Sequence, residues 1–339
     1  MKIAIDKNSI NEIKPSDEYI YLFDNESLEE LLNTKLHCVY YKSCNYVDIN
    51  LTKYDIDCIK KANINDKDWN KIEFTNYKIG IIIPNYNYEH TIDKCLKSIL
   101  AQSYKHYEVI FIDDCSTDKS VEIAKYYENE MPIKVIQLKQ KRLNGGARNE
   151  AYLYLSDDVD YVYYVDSDDW LYDETALEQI NRKLQNKPDV LFVGMAKYKN
   201  NKLSTCFIPE YKNKYEAMQG WSGSCGKVIK KSLATRQECL YNEGTLKEDR
   251  NQHYKICIYM NNFNILDKPI YVWNQQNLKS VTTIRGQNPL WETSTIRNYA
   301  DALELYLREK GKDKEIDKLL LSRVNKTKKE IEEGGDLQW

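Results

Sequence analysis

Ile79-Gly80-Ile81-Ile82-Ile83-Pro84 is an apolar, mostly β-branched run closed by a proline. A strand with one wet face alternates apolar and polar residues; an unbroken run marks a strand covered on both faces. The next hundred residues repeat the pattern. Ile92, Cys95, Leu96, Ile99 and Leu100 recur at helical spacing. Residues 107–114, Tyr-Glu-Val-Ile-Phe-Ile-Asp-Asp, read as a second strand and 120–128 as a helix. Residues 133–138 read as a third strand, 149–155 as a helix, and 161–166, Tyr-Val-Tyr-Tyr-Val-Asp, as a fourth strand. Strand–helix alternation at this spacing predicts a parallel, doubly wound sheet. Ligands of such sheets sit beyond the carboxyl ends of the strands. Two of those ends are acidic here: Asp113-Asp114, and Asp166-Ser167-Asp168-Asp169.

Outward from this core the pattern changes. Residues 1–76 hold short apolar runs, such as Tyr19–Phe23 and Cys38–Tyr41, with a helix predicted over Ser27–Leu32. They read as a small α+β extension. Residues 201–285 look mixed, with a helix near Glu248–Tyr259 and an aromatic strand Ile270-Tyr271-Val272-Trp273. Residues 292–333 are charged and helical, with Leu303, Leu307, Ile316, Leu319 and Leu320 as the apolar stripe. The predicted division is 1–76, 77–285 and 286–339, the middle part splitting into halves at 175/176.

Composition narrows the function. In 339 residues, 49 Lys+Arg against 52 Asp+Glu give a net charge of −3, which does not point to a nucleic-acid partner. The nine Cys form no Cys-x-x-Cys pair, so a zinc ribbon or redox motif is not expected. The start of the chain turns polar within six residues and has no signal-peptide pattern. The reading is reduced thiols and a cytoplasmic protein, or a host cytoplasm if phage-encoded. No apolar run approaches the roughly 18 residues of a membrane span.

Carboxylates packed as in Asp166-Ser167-Asp168-Asp169 repel one another unless a cation intervenes. Their oxygens suit Mg²⁺ or Mn²⁺, and such an ion bridges two phosphates well. A lone Asp-x-Asp is more often a solvated turn capping a helix, here one starting near Trp170; its place at a strand end favours chemistry. Asp113-Asp114-Cys115-Ser116-Thr117-Asp118 reads either as a cap for the next helix or as a carboxylate set for a base N–H or a ribose hydroxyl. Pro84-Asn85-Tyr86-Asn87 reads as a turn or as a wall around a base. In Asn144-Gly145-Gly146-Ala147-Arg148-Asn149 the glycines allow close backbone approach, the following helix start favours anions, and Arg148 suits phosphate. His90, His106 and His253 lack metal spacing and read as structural or solvent-facing.

These four segments, in this order and spacing, resemble family 2 glycosyltransferases, specifically over residues 78–175 and more loosely to about 285. The resemblance implies the GT-A fold: a mixed, mostly parallel α/β sheet, extended here by the N-terminal α+β part and C-terminal helices. It implies a nucleotide-diphosphate sugar donor (a UDP-sugar by family habit), Mn²⁺ or Mg²⁺, and inversion at the anomeric carbon. By it, Asp113 and Asp114 hold base and ribose. Pro84, Tyr86, Gly146, Arg148, Asp166 and Ser167 complete the donor site. Asp166 and Asp168 bind metal, Asp168 the more direct ligand. The catalytic base maps to Asp249 in Glu248-Asp249-Arg250, with Glu248 as second candidate; inversion needs a base for the attacking hydroxyl. Without the resemblance, that pair reads as a charged helix start.

The family's basic residue before a Ser-x-Thr is not reproduced in Tyr271–Asn274 and Ser280-Val281-Thr282, although Lys279 and Arg285 lie near. Trp221–Lys227 is similar to the acceptor-side segment, where Trp221 reads as a sugar-stacking ring or as a buried Trp. A glycan hydroxyl is the expected acceptor. A phage-type transferase acting on hydroxymethylated DNA bases and a catalytically inactive sugar-nucleotide-binding module are the alternatives; the presence of both Asp168 and Asp249 speaks against the second.

Overall fold

The computed structural model describes residues 75–276, 290–309 and 314–332, together with four short strands nearer the N-terminus. The helix predicted over Ser27–Leu32 and the segment holding Lys279, Ser280, Val281, Thr282 and Arg285 lie outside the described residues. The chain divides into two compact units, one of residues 1–76 with 181–187, the other of 77–180 with 188–339. In the first unit β1 (Lys2–Ile5) pairs parallel with β2 (Tyr19–Leu22). There β3 (Cys38–Lys42) pairs antiparallel with β4 (Trp69–Glu73).

The second unit is built on a mixed sheet. β5 (Ile79–Asn85) and β6 (Tyr107–Asp113) are buried at every position, as the unbroken apolar runs require. Ile79, Ile81, Ile82 and Ile83 expose nothing, and each contributes roughly 1.5–3 kcal/mol of hydrophobic stabilisation. β7 (Ile133–Gln137) extends the sheet beside β6, and β8 (Tyr161–Tyr164) lies on the other flank of β5, all four parallel. The order β7-β6-β5-β8 therefore reverses between β5 and β8, and a crevice opens at the carboxyl ends there. Beyond β8 the sheet turns mixed. β12 (Lys227–Lys230) is antiparallel to β8 and to β10 (Val190–Lys199). β13 (Phe263–Asn274) runs parallel to β10, and β9 (Trp170–Leu171) closes that edge antiparallel to β13. β11 (Lys202–Phe207) forms a hairpin with β10 through Asn200 and Asn201, both at positive φ, as a tight primed turn demands. The stretch after Asp169 is therefore strand, not the helix start expected near Trp170: Val272 pairs with Trp170 and holds it extended.

α1 (Ile92–Leu100) buries Ile92, Cys95, Leu96 and Ile99, and α2 (Ser120–Tyr126) follows β6. α3 (Leu143–Ala151) begins at Leu143 rather than at Asn149. The paired glycines lie inside its first turn, where a Cβ on Gly145 would stand 2.8 Å from Glu248 Cγ. Close helix–helix approach is what selects glycine here. After α4 (Ala176–Lys183), α5 (Lys214–Gln219) and α6 (Lys231–Ala234) comes α7 (Glu248–Tyr259), buried around most of its circumference. α8 (Leu290–Glu309) and α9 (Lys314–Glu332) complete the unit. Tyr299, Ala302, Leu305, Tyr306, Ile316, Leu319 and Leu320 join the core cluster around Tyr254 and Ile256. Leu307, expected in that stripe, is 54% exposed, because α8's inward face is set by Tyr299, Ala302 and Tyr306. Among the described residues no helix is long and apolar enough to cross a membrane.

Candidate active site

A cavity of about 500 Å³ opens at the crevice between β5 and β8. It collects Pro84 from the end of β5, Arg148 from α3, Asp166 to Asp169 after β8, and Glu248 and Asp249 from α7. The opposite wall is the loop Gly220 to Cys225, with Trp273 from β13.

The acidic turn is held by its backbone and by side chains from distant elements. Ser167 Oγ donates to the Pro84 carbonyl at 2.7 Å, bridging the two strand ends. Thr91 Oγ1 donates to the Ser167 carbonyl at 3.0 Å and Cys95 Sγ to that of Asp166 at 3.7 Å. The Tyr271 hydroxyl accepts from Asp166 N at 3.2 Å and donates to Asp169 Oδ2 at 2.5 Å. Asn274 N donates to Asp169 Oδ1 at 2.7 Å. Both oxygens of Asp169 are thus engaged in fixing the turn to β13. Burial, then the charges of Asp168 and Asp166, push its carboxyl well above the ordinary range. The same three carboxylates, after burial, raise the Tyr88 phenol, which also lines the cavity.

Arg148 is 3% exposed and spans two carboxylates, donating through one terminal nitrogen to Asp166 Oδ1 and through the other to Glu248 Oε1, each at 2.8 Å. Both terminal nitrogens of Arg148, the residue expected at a phosphate, are engaged in this double ion pair. The guanidinium's planar fork suits the task. Glu248 is driven up to about 7 by burial and by Asp249, against the pull of Arg148. Asp249 is half-buried, faces the cavity, and accepts from Arg250 N at 2.7 Å.

The other residues expected in the donor site stand apart from the cavity wall. Asp113 is fully buried; it accepts from Asn85 Nδ2 and Ser116 N, each at 2.9 Å, and from Ser116 Oγ at 2.5 Å. Asp114 accepts from Arg142 N at 2.6 Å and Leu143 N at 2.8 Å. That satisfies donors at the start of α3 and holds Leu143 at φ 58°. Tyr86 is 38% exposed with the Lys141 ammonium 3.2 Å above its ring. Gly146 is buried within α3, with Arg142 where its Cβ would be. Of the histidines, His253 is fully buried on α7, its Nε2 3.2 Å from the Met218 carbonyl.

Trp221 is partly buried and packs against Trp273 with ring centroids 5.7 Å apart. Its indole fills the space of a Cβ on Gly223 or Gly226. Beneath this loop the fully buried Lys227 ammonium donates to the carbonyls of Ser222 at 2.9 Å and Gly223 at 2.7 Å. Burial, opposed by nearby Asp249, lowers it to about 8. Tyr88 was not marked by any motif, and the bonds of Tyr271 and Asn274 to the acidic turn arise only because β13 reaches it across the sheet.

A parallel half-sheet ending in carboxylates at its switch point, faced across one cavity by an acidic helix start from the mixed half, defines the GT-A class of fold. Residues 80–232 match the profile of Glycosyl transferase family 2. Two relatives are Glycosyltransferase GlyA of Streptococcus pneumoniae and Poly(ribitol-phosphate) beta-N-acetylglucosaminyltransferase TarS of Staphylococcus aureus. GlyA is 29% identical over 58% of this chain and 30% of its own length. TarS is 32% identical over 35% of this chain and 21% of its own. This chain thus spans less than a third of either relative. The crystal structure of S. aureus TarS 1–349 with UDP aligns at TM-score 0.57 and 22% identity, over 73% of this chain and 70% of that one.

Proposed function

We propose that the protein is a metal-dependent, inverting glycosyltransferase. It moves a sugar from a UDP-sugar to a hydroxyl of a glycan or related cell-surface polymer. The observation that carries this reading is the single cavity that puts Asp166 and Asp168 on one wall and Asp249 on another. The match of residues 80–232 to the family supports it, as do relatives whose names specify sugar transfer.

The residues fit a divalent cation of limited protein ligation. Among the described residues no set of three Asp, Glu, His or Cys side chains could hold an ion alone. Asp169 is committed to Tyr271 and Asn274, and Asp166 gives one oxygen to Arg148. Asp168, with the remaining oxygen of Asp166, would hold the ion, as one or two carboxylates do in Mg²⁺ sites. Such an ion, when bound, would supply positive charge to stabilise the nucleoside diphosphate leaving group. Arg148 keeps Asp166 aimed into the cavity and occupies Glu248. That leaves Asp249 to accept the proton of the attacking acceptor hydroxyl. Asp113 and Asp114 serve the donor indirectly, by shaping the turns around Asn85 and Leu143. No observation favours a DNA-base acceptor, and an inactive module does not require both Asp168 and Asp249 at the cavity.

The test is a UDP-sugar panel scored for release of UDP, with Mn²⁺ or with EDTA. Turnover with one donor, lost on chelation and restored by Mn²⁺, is expected. Asp249→Asn is expected to lower turnover at least about 100-fold while titration calorimetry shows donor affinity kept. Metal-independent turnover, or an Asp249→Asn enzyme of native rate, overturns the reading.

A further inference from the structure

The turn that delivers Asp249 is anchored from outside the region matched to the family. Lys247, immediately before α7, sits at φ 56°, and Gly244 at φ 67°. No side chain caps α7 from that position. The bonds that hold this conformation converge on one residue of α8. Asn298 is 2% exposed. Its Nδ2 donates to the carbonyls of Leu246 at 2.9 Å and Lys247 at 3.1 Å. Its Oδ1 accepts from Asn242 Nδ2 at 3.1 Å and Thr245 Oγ1 at 3.4 Å. Its backbone carbonyl accepts from Asn251 Nδ2 at 2.7 Å, inside the first turn of α7. One helical turn earlier, Ser294 Oγ accepts from Leu246 N at 3.0 Å.

An amide offers two donors and an acceptor oxygen with two lone pairs, and Asn298 uses all of them on one turn. Asp would bring no donor to the two carbonyls, and Leu would bring neither group. Each buried polar group left without its partner is costly, so the backbone of 245–247 would shift to recover water. Asp249 would move with it. We infer that Asn298 is a positioning residue for Asp249, and that α8 completes the active site although none of its described residues lines the cavity. The inference rests on Asp249 being the base.

The experiment compares Asn298→Ala and Asn298→Asp with Leu320→Ala in the full-length chain. Leu320 is a fully buried core residue of α9 that supplies no bond to the turn. Each variant is measured for kcat, donor KM and melting temperature, and for amide hydrogen exchange at residues 246–250. Both Asn298 variants are expected to lose about 10- to 100-fold in kcat, the scale of a reacting group misplaced by an ångström. Donor KM should change less than about threefold, and exchange at 246–250 should quicken. Leu320→Ala should lower the melting temperature with kcat kept. Should Asn298→Ala fold poorly, Ser294→Ala probes the same turn more gently, with a smaller kcat loss expected. Folded Asn298 variants with native kcat overturn the inference, as does a kcat loss that Leu320→Ala reproduces at equal melting temperature. If the unmodified chain consumed no sugar nucleotide, the proposed function would fail instead. The exchange measurement would still decide whether Asn298 holds the turn.

Discussion

Arg148 shows how much one side chain decides at this site. Its motif reads as a phosphate ligand, yet the guanidinium is buried between Asp166 and Glu248. Removing it leaves two carboxylates without their partner in a low-dielectric setting. Arg148→Met should therefore lower stability by about 3–5 kcal/mol, measured by urea unfolding. Arg148→Lys should recover little, because one ammonium cannot span both carboxylates as the fork does. His253 gives a pH signature. Burial, then the charge of Lys227, holds its imidazole well below the ordinary 6.5. The unfolded chain binds the proton below pH 6.5 and the native state does not. The stability is fully present above 6.5 and falls by about 1.4 kcal/mol per pH unit below it, until the native pKa is reached. Thermal melts of His253→Gln between pH 5 and 7 should be flatter than those of the unmodified protein.

At the scale of elements, the contact between α3 and α7 sets the cavity's geometry. Gly145 allows it, since a Cβ there would meet Glu248 Cγ at 2.8 Å and the Asn242 carbonyl at 3.1 Å. Gly145→Ala should cost about 1–3 kcal/mol through overpacking and should also lower turnover, because the groups displaced are the Arg148 partner and the turn leading to Asp249. A melt and a rate assay on the same sample check this; a variant that is destabilised but fully active would show the helices yielding elsewhere. The run of β5 and the acidic ends after β6 and β8 were legible because burial on both faces writes itself into consecutive residues. The start of α3 was not. Its first turn is Leu143-Asn144-Gly145, unfavourable by propensity, and it forms because Asp114 takes up its leading amides.

At the scale of the molecule, α8 and α9 belong to the same compact unit as the sheet. Their Tyr299, Ala302, Tyr306 and Leu320 are continuous with a core that reaches Ile82 and Ile110. A chain ending at residue 285 should therefore lose cooperative unfolding and bind a hydrophobic dye such as ANS, although the whole family match, residues 80–232, is retained. A sharp native-like melt for that shortened chain would show the helices to be dispensable.

The sequence by itself determined the parallel half of the sheet, the acidic ends of its strands and the kinship they imply. Those features are local: side-chain burial repeats along a strand, and the motifs occupy adjacent positions. Only the tertiary structure decided that Arg148 is shared between Asp166 and Glu248, that Asp169 is fastened to β13, and that Asn298 holds the turn before Asp249. These pairings join residues 18, 100, 102 and about 50 positions apart. Hydrogen bonds of that reach depend on how the sheet and helices bring distant backbones together, which no periodicity within one segment can encode.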